Sequence, residues 1–188
     1  MANNYIEIEL KFPLKNREKT IEVLNQQAEL KADNIFQKAS YYLPAHRDFL
    51  AHQYPYEWLR LRESDNKFFL TYKHFYPENV LVTDYCDEFE TEVKDLNTMK
   101  KIFQVLDFKE IAVVEKRRSI WNYKEAEITV DQVEGLGDYL EAEALKHFTD
   151  PKEGKKYLMD ILRELNLDLG EEELKGYPYL LLKKWGKI

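Results

Sequence analysis

Near its amino end the sequence reads Glu7-Ile8-Glu9-Leu10-Lys11-Phe12. Charged and apolar residues alternate along this stretch, which is the period of a β-strand, where successive side chains point to opposite faces. One face of the strand would carry Glu7, Glu9 and Lys11, and the other would be apolar. A single strand of this kind is typical of a half-buried sheet whose polar face meets solvent, so its meaning depends on the rest of the chain.

The same alternation recurs along the chain, between segments with the spacing of amphipathic helices. Eight strands are predicted, near residues 5–12, 36–43, 57–62, 67–74, 85–93, 112–119, 127–133 and 139–145. Helices are predicted over residues 15–31, 95–106 and 152–165, with Asp95 as an N-cap and Pro178 opening a short last helix. No Gly/Ser linker or low-complexity tract interrupts the series, so we predict one domain over residues 1–188.

The charges on the predicted strands are sorted by sign. Arg60 and Arg62 share a strand face, whereas Glu88, Glu90 and Glu92 share a face of another strand. The charged strand positions are the acids Glu7, Glu9, Glu88, Glu90, Glu92, Asp131, Glu141 and Glu143 and the bases Lys11, Arg60, Arg62, Lys73, Lys116 and Arg118. Amphipathic helices need an apolar sheet face to pack against, so we expect the helices outside and the charges inside. The prediction is an α+β fold: an eight-stranded antiparallel β-barrel, or tunnel, with a charged interior and helices packed outside.

An interior of this kind is a poor core unless ligands complete it, because each unpaired buried charge costs on the order of several kcal/mol. Carboxylates two residues apart on a strand can coordinate one hard divalent cation, such as Mg²⁺ or Mn²⁺. Arginine holds phosphate oxygens through two N–H groups, and lysine adds a point charge. The predicted tunnel is therefore suited to a polyphosphate together with its metal ions.

These residues also fit a known family signature. Residues 7–11 resemble the E-x-E-x-K signature of the CYTH superfamily, the triphosphate tunnel metalloenzymes. Further segments resemble the family in the same order: residues 59–62 (LRLR), 70–73 (LTYK), 88–90 (EFE), 114–118 (VEKRR) and 131–143 (DQVEGLGDYLEAE). Residues 41–49 (YYLPAHRDF) are most similar to the class IV adenylate cyclase branch. One departure is Ala39, at a position where many members carry an acid.

The resemblance implies a divalent-metal-dependent enzyme that acts on a triphosphate. In the class IV branch the reaction converts ATP to cyclic AMP and pyrophosphate. A triphosphatase that hydrolyses inorganic tripolyphosphate, thiamine triphosphate or a nucleoside triphosphate is an alternative. A non-catalytic module that binds polyphosphate or nucleotide is another, although a pure anion binder gains nothing from so many interior carboxylates. A structural barrel with its charges outside would bind no triphosphate tightly.

By resemblance, the charged strand positions other than Glu92 have expected roles. The catalytic Mg²⁺ or Mn²⁺ would be bound by Glu7, Glu9 and a glutamate of the pair Glu141 and Glu143. The triphosphate would be held by Lys11, Arg60, Arg62, Lys73, Lys116 and Arg118. A second metal, or the attacking group, would be served by Glu88, Glu90 and Asp131.

Composition limits the partners and the compartment. The net charge of −7 argues against a broad nucleic-acid-binding face. The sequence lacks both a leader pattern and an apolar run of the roughly 18 residues that a membrane helix needs, so no membrane partner is expected. The one cysteine, Cys86, fits a reducing compartment, and we predict a cytoplasmic protein. The expected partner is a small-molecule triphosphate; a homodimer is possible, but the sequence does not decide the oligomeric state.

Overall fold

The computed structural model describes residues 6–188, except for the side chain of Ile6. In this part of the chain the elements follow the order β1 (Ile6–Glu7), β2 (Glu9–Pro13), α1 (Arg17–Gln27), β3 (Glu29–Leu43), β4 (Glu57–Ser64), β5 (Lys67–Tyr76), β6 (Tyr85–Val93), α2 (Leu96–Val105), β7 (Lys109–Tyr123), β8 (Ala126–Val133), β9 (Gly137–Ala144), α3 (Pro151–Glu164) and α4 (Tyr177–Lys184). The predicted fold class, α+β with antiparallel strands and helices, is confirmed. All eight predicted strands are present among the described residues, and the first is divided at Ile8 into β1 and β2. The predicted start of the first strand, residue 5, lies outside the described residues.

The chain forms two compact units, each discontinuous in sequence. Unit 1 contains residues up to Ile35 and Lys116–Leu174, and unit 2 contains Phe36–Glu115 and Lys175–Ile188. Strands β3 and β7 therefore each contribute residues to both units. The expectation of a single domain over residues 1–188 stays a prediction.

In unit 1, strand β9 lies between β2 and β8, and β8 also pairs with β7, all antiparallel. The apolar side chains of these strands share one face, on which helices α1 and α3 pack. Leu24 of α1 and Leu158 of α3 are fully buried there against strand residues such as Ile128 and Leu140. The helices thus cover the apolar face of this sheet segment, and the charged side chains project from its other face.

In unit 2, the strand order is β3-β4-β5-β6, again antiparallel. Helix α2 packs on the apolar face through Phe103, which contacts Tyr42 with ring centroids 4.9 Å apart and lies in one cluster with Leu61. Asp95 is the N-cap of α2, as predicted, because its carboxylate accepts hydrogen bonds from the backbone N–H groups of Asn97 and Thr98. Unit 2 therefore also has one apolar face under a helix and one charged face.

The largest departure from the predicted element boundaries lies between α1 and β3. The helix predicted over residues 15–31 ends at Gln27, and β3 begins at Glu29, seven residues before the predicted start. Residues 29–33 alternate polar and apolar, but Asp33 and Asn34 are both polar and interrupt the alternation before Ile35. Asn34 adopts a positive φ of 53°, and its backbone N–H donates to the Ser119 hydroxyl. This part of β3 therefore depends on partners distant in sequence.

None of the helices described between residues 6 and 188 is both long and apolar enough to cross a membrane.

The burial of α3 leads to a stability prediction. Leu158→Ala should lower the free energy of unfolding by about 2–5 kcal/mol, because it leaves a cavity in the core of unit 1. Val105→Ala is the control, since Val105 is 76% exposed on α2 and its truncation should change this free energy by less than about 0.5 kcal/mol. Urea unfolding of the three proteins measures both effects. Equal stability of the two variants would contradict the assignment of the buried helix face.

Candidate active site

The predicted charged residues of unit 1 lie on one face of strands β2, β7, β8 and β9. In the pairing of β2 with β9, Lys11 lies opposite Glu141. In the pairing of β7 with β8, Arg118 lies opposite Asp131. The strand alternation seen in the sequence places these side chains on one face, and the register brings opposite charges face to face.

Five of these side chains form a continuous chain of ion pairs, here called the Asp131 cluster. Lys11 Nζ lies 3.1 Å from Glu141 Oε1, and the Arg118 guanidinium donates to the other oxygen of Glu141. Arg118 also donates to both oxygens of Asp131, from Nε at 2.7 Å and from Nη2 at 2.5 Å. Lys116 Nζ donates to Asp131 Oδ2 at 2.8 Å. Three cations are thus joined by two carboxylates, which leaves one positive charge in excess.

Burial and pairing have opposite effects on the ionisation of this cluster. Burial raises the pKa of Glu141, but Lys11 and then Arg118 oppose it, and the pKa lies well below its ordinary value. Burial likewise raises the pKa of the fully buried Asp131, but Arg118 and Lys116 lower it further, to below its ordinary value. For Lys116, burial and the nearby Arg118 outweigh the attraction of the carboxylates and lower its pKa to about 8. The carboxylates therefore stay ionised, while one cation of the cluster, Lys116, titrates near pH 8.

A second row on the same face consists of carboxylates. Glu9 lies opposite Glu143 in the pairing of β2 with β9, and Glu143 lies opposite Glu127 in the pairing of β8 with β9. We call these three residues the acidic row. Within residues 6–188, no three Asp, Glu, His or Cys side chains form a group that could by itself hold a metal ion. Mg²⁺ is usually bound by one or two carboxylates together with waters and phosphate oxygens, so Glu9 and Glu143 fit a divalent cation that shares a phosphate ligand.

Unit 2 carries a second chain of ion pairs, here called the Glu90 cluster. Arg62 Nη2 donates to both oxygens of Glu90, at 2.9 and 3.0 Å. Arg60 Nη2 lies 3.4 Å from Glu88 Oε1 and 3.7 Å from Glu90 Oε2. Lys73 Nζ lies 3.0 Å from Glu88 Oε2. As in unit 1, two carboxylates join three cations.

Other side chains of unit 2 surround the two arginines. The Arg62 guanidinium lies over the ring of Phe69, 4.8 Å from its centroid. Burial lowers the pKa of Arg60, but Tyr41 and then the acids of the cluster raise it more, so the pKa lies above its ordinary value and the guanidinium stays charged. Ala39 lies opposite Arg62 in the pairing of β3 with β4 and is buried. Ala39, the departure noted in the sequence, is therefore a cross-strand neighbour of Arg62.

All of the predicted triphosphate-binding residues lie in one of the two clusters, and Glu9 and Glu143 lie in the acidic row. Glu7, in β1, is 7% exposed, and its role as a metal ligand stays a prediction. The sequence analysis did not select Thr71, whose hydroxyl donates to Glu90 at 2.6 Å, or Glu127. Both lie at same-face positions of strands that were recognised, so strand parity was the signal that could have found them.

Comparison with known proteins places the chain in a family, because the CYTH domain model matches residues 5–177. The chain belongs to the CYTH family. It is 34% identical over 175 residues to "Putative adenylate cyclase MJ0240" of Methanocaldococcus jannaschii, with 92% of this chain and 96% of that protein covered. The CYTH resemblance inferred from the residues is thereby confirmed.

Solved structures extend the likeness to the fold. The PH1819 protein from Pyrococcus horikoshii is 31% identical, with a TM-score of 0.79 over 95% of this chain and 99% of that one. HpAC1 from Hippeastrum, described as a putative adenylyl cyclase that "reveals a dominant triphophatase activity", is 20% identical, with a TM-score of 0.61 over 97% and 96% of the two chains. At that identity, HpAC1 supports the CYTH fold alone.

Of the five residues in the Asp131 cluster of this CYTH protein, Asp131 should contribute most to stability. Asp131→Asn should lower the free energy of unfolding by about 3–5 kcal/mol at neutral pH, because it leaves two buried cations short of a carboxylate. The folded-state pKa of Asp131 is depressed, so its contribution is present above about pH 4 and is lost as the pH falls through the folded value. When the pH is lowered from 7 to 3, urea unfolding should show a smaller decrease in the free energy of unfolding for Asp131→Asn than for the wild type.

The control is Glu115→Gln, which removes a half-exposed ion pair with Lys38 at 2.7 Å. It should cost less than about 1 kcal/mol. If Asp131→Asn lowers the free energy of unfolding no more than this control does, the Asp131 cluster is not the buried, mutually dependent set of ion pairs described above.

Lys116 should titrate near pH 8 in the ligand-free protein. Because this pKa lies below the unfolded value of about 10.4, Lys116 makes the free energy of unfolding rise with pH between these two values and adds no pH dependence well below pH 8. NMR of lysine side chains, with Lys116→Arg to assign the resonance, measures the midpoint. Asp131→Asn should lower the midpoint further, because it removes a carboxylate that favours the ammonium. A midpoint above pH 10 would be inconsistent with the burial described.

Proposed function

We propose that this chain is a divalent-metal-dependent enzyme that acts on a triphosphate, with the class IV adenylate cyclase reaction, ATP to cyclic AMP and pyrophosphate, as the leading candidate. The observation that carries the proposal is the repeated arrangement of three cations joined by two carboxylates, in the Asp131 cluster and again in the Glu90 cluster. Each cluster has one positive charge in excess, which suits a polyanion. The name of the Methanocaldococcus relative supports the cyclase branch.

In this proposal the basic side chains of each cluster bind phosphate groups of the substrate. The proposed phosphate ligands are Lys11, Lys116 and Arg118 of unit 1 and Arg60, Arg62 and Lys73 of unit 2. Arginine forks bind phosphate oxygens in the same geometry in which they bind carboxylates, so an incoming phosphate can replace part of the present pairing. The carboxylates of the clusters would then keep the cations in place while the substrate is absent.

Divalent metal use is a property of the CYTH triphosphate tunnel metalloenzymes, and the donors of this chain fit it. Glu9 and Glu143 are the proposed ligands of Mg²⁺ or Mn²⁺, and Glu7 is a further candidate. When bound, the cation would neutralise charge that develops on the phosphate oxygens. Glu141 is a weaker candidate in the pair with Glu143, because it is already engaged with Lys11 and Arg118.

Two reactions use this arrangement. In the cyclase, the ribose 3′-oxygen forms a bond to the α-phosphorus, the bond to the pyrophosphate oxygen breaks, and the hydroxyl proton leaves. In a triphosphatase, a water oxygen forms a bond to a phosphorus, the bond from that phosphorus to the bridging oxygen breaks, and two shorter phosphate products leave as the water proton passes to solvent. The triphosphatase is the second candidate because every proposed contact is to phosphate or metal and none is to a nucleoside. Both reactions need alignment and charge stabilisation more than covalent chemistry.

Product analysis tests the proposal. The protein is incubated with ATP, thiamine triphosphate or tripolyphosphate and with Mg²⁺ or Mn²⁺, and cyclic AMP is resolved from free phosphate and pyrophosphate. Cyclic AMP identifies the cyclase, and phosphate release identifies the triphosphatase. If the protein binds a triphosphate but converts none of the three substrates, the enzyme proposal is wrong and the chain is a binding module.

Glu9→Ala should abolish turnover in this assay while the protein stays folded, since the variant lacks a proposed metal ligand. Its apo melting temperature should be unchanged or higher, because Glu9 faces another carboxylate, Glu143. Glu134→Gln, an exposed substitution in the turn between β8 and β9, is the control and should keep the wild-type rate. Near wild-type turnover by Glu9→Ala at saturating metal would exclude the metal role of Glu9.

A further inference from the structure

The acidic row extends to a fourth strand. Asn122 of β7 lies opposite Glu127 of β8, which lies opposite Glu143 of β9, which lies opposite Glu9 of β2. Four side chains that end in oxygen acceptors thus cross the charged face of unit 1 side by side. Directly opposite residues have Cβ atoms about 4.5–5.5 Å apart, and like charges in such positions repel. A cation near the row would remove that repulsion.

Two buried side-chain oxygens at or next to the row also indicate a ligand, apart from the repulsion between the carboxylates. Thr129, two residues from Glu127 on the same strand face, is 3% exposed, and its hydroxyl has no hydrogen-bond partner among the described residues. The side-chain oxygen of Asn122 is also buried and has no partner in the same part of the chain. Buried polar atoms of this kind are nearly always satisfied in proteins, by protein groups, ordered water or ions. An amide oxygen beside carboxylates needs a donor, and water bound to a cation is a strong one.

The row is better suited to a hydrated cation than to a naked one. Within residues 6–188, no three acidic, His or Cys side chains are grouped as direct metal ligands. Mg²⁺ gives up its waters reluctantly and commonly keeps several of them when protein carboxylates bind it. Outer groups that accept hydrogen bonds from such ligands orient them, and their loss typically lowers metal affinity about 10–100-fold.

We propose that Glu127 is a positioning residue for the metal: it accepts hydrogen bonds from waters bound to a divalent cation that Glu9 and Glu143 hold. Asn122 and Thr129 supply further hydrogen-bonding oxygens to the same waters. This inference rests on the proposed metal role of Glu9 and Glu143 and adds to it a carboxylate that the E-x-E-x-K signature does not contain. Glu127 touches the cation through water alone.

Calorimetric titration with Mn²⁺ tests the inference directly, on the full chain, with and without tripolyphosphate. Glu127→Gln keeps the size of the side chain and should weaken Mn²⁺ binding about 10-fold or more. Glu143→Gln should remove most of the binding, because it replaces a direct ligand. Glu134→Gln, an exposed acid next to the same strand, should bind like the wild type. Thermal melting without metal is recorded for each protein.

The sign of the melting shift separates a metal role from a structural one. Glu127→Gln should leave the apo melting temperature unchanged or raise it, because one charge leaves a row of like charges, while Mn²⁺ affinity falls. A lower apo melting temperature with unchanged affinity would overturn the inference and make Glu127 structural. If Glu127→Gln binds Mn²⁺ like the wild type while Glu143→Gln loses binding, the role of Glu127 is overturned and the proposed metal site stands. Wild-type affinity in Glu143→Gln and Glu9→Gln, or no Mn²⁺ binding by the wild type, would overturn the proposed metal site as well.

Discussion

Cations on a buried strand face must be paired, and this constraint shapes both units of the protein. A guanidinium or ammonium that leaves water is tolerated when a carboxylate lies within hydrogen-bonding distance and further hydrogen bonds complete its environment. Asp131 meets this need for Lys116 and Arg118. Glu90 meets it for Arg62, and Glu88 meets it for Arg60 and Lys73. The carboxylates of the clusters thus keep basic side chains in fixed positions where water alone would not hold them.

Fixed cations favour the binding of a polyanion, because the long basic side chains are already ordered by folding and lose little further entropy when the ligand binds. Lysine and arginine side chains lose considerable rotamer freedom when they are immobilised. The cross-strand partners remove that freedom before any ligand arrives, and Phe69 and Thr71 restrict the Glu90 cluster further. A ligand with several phosphates would then exchange with carboxylates at sites that are already aligned.

The acidic row has the opposite electrostatic character, although it lies on the same sheet face as the Asp131 cluster. One residue pair of the β2–β9 ladder joins Lys11 to Glu141, and the pair two residues away joins Glu9 to Glu143. Attraction and repulsion thus alternate within a few ångströms along two strands. Such a surface suits a phosphate group and its counter-cation together better than it suits either alone.

The sequence by itself determined the strand faces, the helices that cover them and the family, because alternation and helical spacing are local properties and the E-x-E-x-K stretch is short. Lys11, Arg62 and Asp131 could be selected from such patterns. The tertiary structure alone decided which charges meet: nothing local in the sequence states that Glu141 pairs with Lys11 or that Glu127 lies opposite Glu143. Register depends on turns and on packing between strands that are far apart in the chain, and a shift of one residue would turn each of these side chains to the other face.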